Sequence, residues 1–222
     1  MAIALAAGIA TADSPRPLFW VINLEGVITG PSAKYVADSI EEAQKEGAEG
    51  LIILLDTPGG LDTAMRDIAK SILNAPLPVI VYVYPSGARA ASAGVIITQA
   101  AHIAAMAPGT NIGAAHPVAI GIGGAGEMDK TMSEKVENDA AAYARSIAKT
   151  RGRSEEWAEK AVRKSESITA DEALKLRVID VVATDIEKLL VAIDQREVTV
   201  AGTKRKISTA HAVTDSKKPG MR

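Results

Sequence analysis

The 222-residue sequence contains no cysteine and has few aromatic or histidine residues. The absence of cysteine excludes disulfide bonds, thiol catalysis and cysteine-ligated metals. Only three histidines are present, which leaves little for a histidine-based metal site, and the sequence predicts no metal and no organic cofactor. The 3% aromatic content argues against a base-stacking surface, and the net charge of −2 gives no general attraction to nucleic acid. We therefore expect no nucleic-acid partner.

Charged residues are also missing from the long stretch between Arg89 and Glu127. The stretch is long enough to span a bilayer, but polar residues, Pro108 and many glycines interrupt it. We interpret it as a buried helix and strand followed by a glycine-rich loop. A long loop of this kind in a compact domain is typical of a lid or a binding segment, which we place at residues 117–128.

The remaining composition is that of one globular domain. Hydrophobic residues make up 47% and charged residues 23% of the chain, and the length fits a single large domain. Residues 1–12 are small and apolar, and they end in the small-x-small form of a signal-peptidase site. We predict a signal-peptide remnant or a disordered start at 1–12, one domain at 13–210, and a polar basic tail at 211–222.

Short apolar runs alternate with helical patterns along the chain. Strands are predicted at 18–24, 51–55, 79–84, 103–106 and 178–182, and a hairpin at 198–207. Helices are predicted at 31–46, 62–73, 90–101, 132–149, 155–164 and 185–193, with one more starting at 169–172. This alternation predicts an α/β fold with a mainly parallel sheet flanked by helices, in which functional sites form at the carboxyl ends of the strands.

Gly59 and Gly60 follow the second predicted strand and precede a helix. Their surroundings match neither a phosphate-binding loop nor a dinucleotide-binding fingerprint. Backbone N–H groups exposed at such a point can stabilise a developing oxyanion. A glycine pair in this position is equally explained by a turn that needs positive φ, so the pair alone is weak evidence for a site.

Ser92 lies among very small residues at 90–94, which would let a substrate backbone approach its hydroxyl. The segment does not match GxSxG, and a packing role is the alternative. A base for this serine could be His102, His116 or a lysine, and a lysine serves only when burial lowers its pKa from about 10.4 toward about 7–8. The residues alone leave these alternatives open.

Three ordered segments carry a family resemblance: LDTPGG at 55–60, ASAG at 91–94 and AMAPGTNIGAAHP at 105–117. They resemble the N-terminal protease domain of the NfeD family, whose members are membrane-bound, ClpP-like serine proteases linked to stomatin. The similarity covers roughly residues 18–193. It implies a ClpP/crotonase-like fold and a single protease domain.

The resemblance also implies a Ser-Lys dyad, with Ser92 as the nucleophile and Lys135 as the general base. The other implied site residues are Gly60 and Ala93, whose amides form the oxyanion hole, and Gly59 and Gly113, which bind substrate. Lys135 matches the Lys-x-x-Asn-Asp segment of the family. An ordinary solvated helix lysine is the alternative for this position.

The function implied by the resemblance is a serine endopeptidase that cleaves hydrophobic segments, such as the C-terminal region of a stomatin-type protein. We expect a homodimer or higher oligomer that is attached to the membrane through a segment absent from this chain. The protease domain would then be extracytoplasmic and this chain itself soluble. An acyl-CoA enzyme on the crotonase fold and a non-catalytic assembly module are the two alternatives.

Overall fold

A computed structural model describes residues 16–117 and 130–216 of the chain. The predicted signal remnant at 1–12 and residues 118–128 of the predicted loop lie outside the described residues. The strands are β1 (Leu18–Glu25), β2 (Gly50–Asp56), β3 (Val79–Val83), β4 (Arg89–Ala91), β5 (Ile103–Met106), β6 (Asn111–Gly113), β7 (Ser167–Thr169), β8 (Val181–Val182), β9 (Glu197–Val200), β10 (Thr203–Lys206) and β11 (Val213–Ser216). The helices are α1 (Gly30–Lys45), α2 (Asp62–Leu73), α3 (Ala93–Ala100), α4 (Lys130–Thr150), α5 (Glu155–Arg163), α6 (Ala170–Lys175) and α7 (Ile186–Ile193).

Six strands form the central sheet, in the order β11, β1, β2, β3, β5, β8. Every neighbouring pair in this sheet is parallel. Parallel strands need crossover connections, and helices supply most of them here. The predicted α/β class with a mainly parallel sheet is confirmed.

The central sheet is covered on both faces, which explains why its middle strands are continuous apolar runs. In β3, Val79, Val81 and Val83 face the larger core, whereas Ile80 and Tyr82 face the smaller one. Helices α1 to α5 contribute buried residues to the larger core. Helix α7 and the hairpin β9–β10 contribute to the smaller core.

A second, three-stranded sheet lies beside the carboxyl end of β2. Its order is β4, β6, β7, with β4 and β6 parallel and β6 and β7 antiparallel. An isolated bridge pairs Thr57, just after β2, with Ala90 of β4. This pairing brings the start of α3 next to the loop that contains Gly59 and Gly60.

Two predicted elements differ from the observed ones. The helix expected over 90–101 begins only at Ala93, because residues 89–91 pair with β6 as a strand. The strand expected over 178–182 is reduced to Val181 and Val182, the two residues that pair with β5. In both cases pairing with a distant strand decides the boundary.

The sequence analysis assigns residues 211–222 to a polar tail, but residues 213–216 form β11 in the central sheet. Leu18 pairs with Val213, and the register continues to Val21 and Ser216. The strand has a polar, partly exposed pattern, because it forms the edge of the sheet and buries little. Within residues 16–117 and 130–216, no helix is both long and apolar enough to cross a membrane.

Candidate active site

Ser92 lies at an abrupt turn between a strand and a helix. Strand β4 ends at Ala91 and helix α3 begins at Ala93, and Ser92 between them has φ +52° and ψ −111°. A positive φ is strained for a serine. Nucleophile elbows use the same strand–serine–helix turn to expose a hydroxyl, and this turn achieves it without the GxSxG glycines.

Two backbone hydrogen bonds hold this turn. The Ser92 N–H donates to the Gly113 carbonyl at 3.0 Å, and the Ala91 N–H donates to the Thr57 carbonyl at 3.1 Å. Gly113 has φ +149°, and a Cβ there would lie 2.2 Å from the Glu166 carbonyl oxygen. Gly113 thus anchors the backbone of Ser92, while substrate binding by Gly113 stays a prediction.

Gly59 packs directly against the serine side chain. It has φ +122°, and a Cβ at this position would lie 2.7 Å from Ser92 Cβ and 3.1 Å from Ser92 Oγ. The Gly59 N–H donates to Thr57 Oγ1 at 3.0 Å, and that hydroxyl donates to the Gly26 carbonyl at 2.7 Å. The loop after β2 is therefore fixed beside Ser92 by a threonine and by a contact that only glycine allows.

Ser92, Lys135, Gly60 and Ala93 all line one cavity of about 520 Å³. This volume is in the usual range for ligand sites. Apolar side chains form much of the remaining wall, including those of Leu61, Met65, Ile96, Val136 and Val162. The cavity combines one serine, one lysine and an apolar surface.

The two residues whose amides we predict to form the oxyanion hole, Gly60 and Ala93, both line this cavity. Ala93 is the first residue of α3, so its N–H has no acceptor within the helix. Among the described residues, neither amide donates to another backbone carbonyl. Two free N–H groups beside a serine can stabilise an oxyanion, and the oxyanion-hole assignment stays a prediction.

Lys135 lies on the exposed N-terminal half of α4. The buried residues of this helix, Ala141, Ala144, Ile147 and Ala148, all lie in its second half. Within the described ranges, no hydrogen bond or ion pair joins the Lys135 amine to Ser92 or to any other side chain. The burial that we expected around a lysine base is therefore not supplied by residues 16–117 and 130–216, since the fully buried residues of α4 start after Lys135.

Neither candidate histidine lines the cavity, although both chain neighbours of His116 do. His102 follows the opposite end of α3 from Ser92, and its Nδ1 accepts a hydrogen bond from the Val79 N–H at 3.1 Å. Burial, and then the positive charge of Arg151, lower the pKa of His102 to about 3. His116 Nδ1 lies 3.1 Å from the Val162 carbonyl oxygen. Neither imidazole is among the described residues that line the cavity, which favours lysine over histidine as the base.

The sequence analysis did not identify Arg66, a charged residue that lines the cavity. Arg66 Nε donates to Asp62 at 2.8 Å, its Nη2 donates to Asp139, and its guanidinium lies 4.3 Å from the centre of the Tyr143 ring. The Asp62–Arg66 spacing of one helical turn is visible in the sequence. The pairing of Arg66 with Asp139 of α4 is not visible in the sequence, because α2 and α4 are far apart along the chain.

Comparison of the sequence with models of known protein families identifies the family of this chain. The sequence model of the NfeD1b N-terminal domain matches residues 18–203. The chain belongs to this family. This confirms the resemblance drawn from the three ordered segments.

Two curated relatives of the NfeD1b domain are longer than this chain. The membrane-bound protease PH1510 of Pyrococcus horikoshii is 43% identical over 175 residues, which are 79% of this chain and 39% of that protein. The membrane protein NfeD1b of Bacillus subtilis is 36% identical over 105 residues, which are 47% of this chain and 23% of that protein. The chain spans less than half the length of each.

Solved structures share the ClpP-like α/β fold of this NfeD1b domain. A lysine-to-alanine mutant of 1510-N, a membrane-bound stomatin-specific protease, in complex with a substrate peptide matches with a TM-score of 0.85 and 36% identity over 93% of this chain and 94% of that chain. A serine-to-alanine mutant of the same protease matches with a TM-score of 0.85 and 36% identity over 92% and 99%. The 1510-N protease from Pyrococcus horikoshii, specific for a stomatin homologue, matches with a TM-score of 0.79 and 35% identity over 92% and 94%.

Proposed function

We propose that this chain is a serine endopeptidase domain with Ser92 as nucleophile and Lys135 as general base. The observation that carries the proposal is the strained Ser92 turn, which shares one cavity with Lys135. Two solved relatives of the same fold are a serine mutant and a lysine mutant of a protease, which supports a serine and a lysine as the reacting pair.

The proposed reaction has two halves. The neutral Lys135 amine takes the proton of Ser92 while Oγ attacks the scissile carbonyl, and the amides of Gly60 and Ala93 hold the resulting oxyanion. The ammonium then protonates the leaving amine, which gives an acyl-enzyme. In the second half, Lys135 deprotonates a water molecule that hydrolyses the ester and restores the serine.

The substrate that fits this cavity is an apolar polypeptide segment. Leu61 and Val136 line the cavity and are large exposed hydrophobic residues, as is Met132 one turn before Val136. A bound apolar segment would cover them and exclude water from the cavity that holds Ser92 and Lys135. Because 1510-N is described as stomatin-specific, we propose the hydrophobic C-terminal region of a stomatin-type protein as the substrate.

The relative PH1510 is named a membrane-bound protease. On this basis we propose that the domain acts at a membrane, on the extracytoplasmic side. We also propose a homodimer or higher oligomer, and only the family resemblance supports this proposal. Sedimentation of the purified chain measures the oligomer directly.

The activity is tested with an apolar peptide whose products are identified by mass spectrometry, together with labelling by a serine-directed phosphonate. We expect Ser92→Ala to lower cleavage by about a thousandfold or more and to abolish labelling, with the fold intact by circular dichroism. Ser86→Ala, in the nearby turn before β4, is the matched control and should cleave and label like the wild type. Unchanged cleavage in Ser92→Ala would remove the nucleophile assignment, and thioester turnover retained in that variant would favour the acyl-CoA alternative.

The base is tested by the pH dependence of kcat/KM. A lysine base must lose its proton, so activity should rise through the neutral to alkaline range in a single limb. We expect Lys135→Ala to lose this limb with most of the activity, and His102→Ala and His116→Ala to keep it. Near-full activity of Lys135→Ala, with the limb unmoved, would make a histidine the base.

A further inference from the structure

Among the described residues, the half of α4 that carries Lys135 has little apolar anchoring, since only the half-buried Ala140 packs against the main core. Residues 130–140 are exposed or half-buried, whereas the buried residues of the helix begin at Ala141. A helical segment held by few buried contacts opens easily. A general base, however, must be held close to the hydroxyl that it deprotonates.

Helix α2 contacts this half of α4 through Arg66. The guanidinium bridges Asp62, on its own helix, and Asp139, which lies one helical turn after Lys135. It also packs over the Tyr143 ring, one turn further along α4. Asp139 projects only about 40° from Lys135 around the helix, so Arg66 holds the face of α4 that presents the lysine.

Helix α5 contacts the other side of the same segment through Arg163. Its Nη1 donates to Glu137 at 3.0 Å, its Nη2 donates to Asn138 Oδ1 at 2.8 Å, and its Nε donates to Glu159 at 2.7 Å. Glu137 projects about 160° from Asp139 around the helix. The two arginines therefore bind α4 from opposite sides, through residues that lie within four positions of Lys135.

We propose that Arg66 and Arg163 form a guanidinium clamp that positions Lys135 for catalysis. The proposal rests on the proposed function, because it assigns a purpose to the position of the general base. Two anchors on opposite sides restrict rotation of the helix about its axis, which a single ion pair does not. Arg66 and Arg163 are positioning residues, since they act through the lysine.

The clamp predicts a loss of rate without a loss of fold. Exposed ion pairs contribute little to global stability, so the unfolding midpoints of Arg66→Met and Arg163→Met should stay close to that of the wild type. Misplacement of a catalytic group by about 1 Å can cost up to a hundredfold in rate. We expect each variant to lower kcat about tenfold, and Arg163→Met to leave KM within about threefold because Arg163 is not among the cavity-lining residues.

The matched control is Arg145→Met. Arg145 of α4 pairs with Glu159 of α5 at 2.8 Å, and its exposure is similar to that of Arg163. The Arg145→Met substitution removes an ion pair between the same two helices, but in the half of α4 that contains the buried residues. Its kcat should equal that of the wild type, and Arg66→Lys, which keeps the charge without the planar fork, should retain more activity than Arg66→Met.

Hydrogen exchange of residues 130–140 supplies a readout that does not depend on activity. Exchange there should be faster in both clamp variants than in Arg145→Met, with residues 141–150 unchanged. Equal exchange in all three variants overturns the clamp. If Lys135→Ala is inactive but Arg163→Met matches Arg145→Met in kcat, the clamp fails and the dyad stands. If Lys135→Ala is fully active, the dyad itself fails.

Discussion

At the scale of single residues, the contact between Gly59 and Ser92 places the backbone of the loop after β2 against the proposed nucleophile. Gly59→Ala would place a methyl group 2.7 Å from Ser92 Cβ at φ +122°. We expect kcat/KM to fall about a hundredfold and the free energy of unfolding to fall by about 1–3 kcal/mol. Peptide cleavage and urea unfolding measure the two effects.

The control for this substitution is Gly47→Ala. Gly47 also has a positive φ, +71°, but a Cβ there meets nothing within 4 Å. It should cost about 1 kcal/mol of stability through backbone strain, with unchanged cleavage. If both variants cleave equally well, the close approach to Ser92 does not matter for catalysis.

The buried His102 makes stability depend on pH. Its pKa is lowered to about 3 in the folded chain by burial and by neighbouring arginines, whereas an unfolded histidine titrates near about 6.5. Between these values the unfolded chain binds more protons, so this contribution to stability is present above about pH 6.5 and is lost as the pH falls toward 3. We expect the slope of the free energy of unfolding with pH to approach about 1.4 kcal/mol per pH unit between these two pKa values.

Urea unfolding at several pH values measures this slope. His102→Gln should flatten the curve between pH 3 and 6.5, whereas His211→Asn, at an exposed site with φ +60°, should leave it as in the wild type. An unchanged slope in His102→Gln would assign the pH dependence to other groups.

At the scale of elements, helix α3 is short and is held at both ends. The Ser92 turn and the two loops that are hydrogen-bonded to it fix the start of the helix. Two arginines donate hydrogen bonds to the carbonyls at its end. Arg153 donates to the carbonyls of Gln99 and Ala101, and Arg151 donates to that of Ala100. Cations at a helix C-terminus also interact favourably with the helix dipole.

Arg153 is the more buried of these two anchors, and it also pairs with Asp180. Arg153→Met leaves two carbonyls and a carboxylate without this partner, so we expect a loss of about 3 kcal/mol or more in the free energy of unfolding. Arg196→Met removes a more exposed partner of the same carboxylate, and should cost less than about 1 kcal/mol. Equal losses in urea unfolding would show that the carbonyl contacts contribute nothing.

At the scale of the whole molecule, β11 closes one edge of the central sheet. A chain that ends at residue 210 lacks the partner of β1 and exposes its outer edge. We expect its thermal midpoint to fall clearly below that of a chain ending at residue 216, because four ladder pairs are lost. Equal midpoints would place the boundary of the domain at 210, as the sequence pattern suggests.

The sequence was most informative where a pattern is long and local. The apolar runs of β1, β2 and β3 and the periodicity of α1 and α2 predict these elements closely, because a strand buried on both faces and an amphipathic helix each leave a periodic trace. The short strands β4, β6 and β11 were missed. Three or four residues carry no periodicity, and their state depends on partners that are distant in the chain.

By itself the sequence determined the α/β class, and its ordered motifs carried the family resemblance that implies the serine and lysine we propose as the reacting pair, because ordered motifs and buried runs are local properties of the chain. Only the tertiary structure decided that Ser92 sits at positive φ with Gly59 against it, that Lys135 is exposed, and that Arg66 and Arg163 reach α4 from opposite sides. These facts depend on contacts between loops and helices that are far apart in sequence. Packing of the whole fold fixes such contacts, and no local preference encodes them.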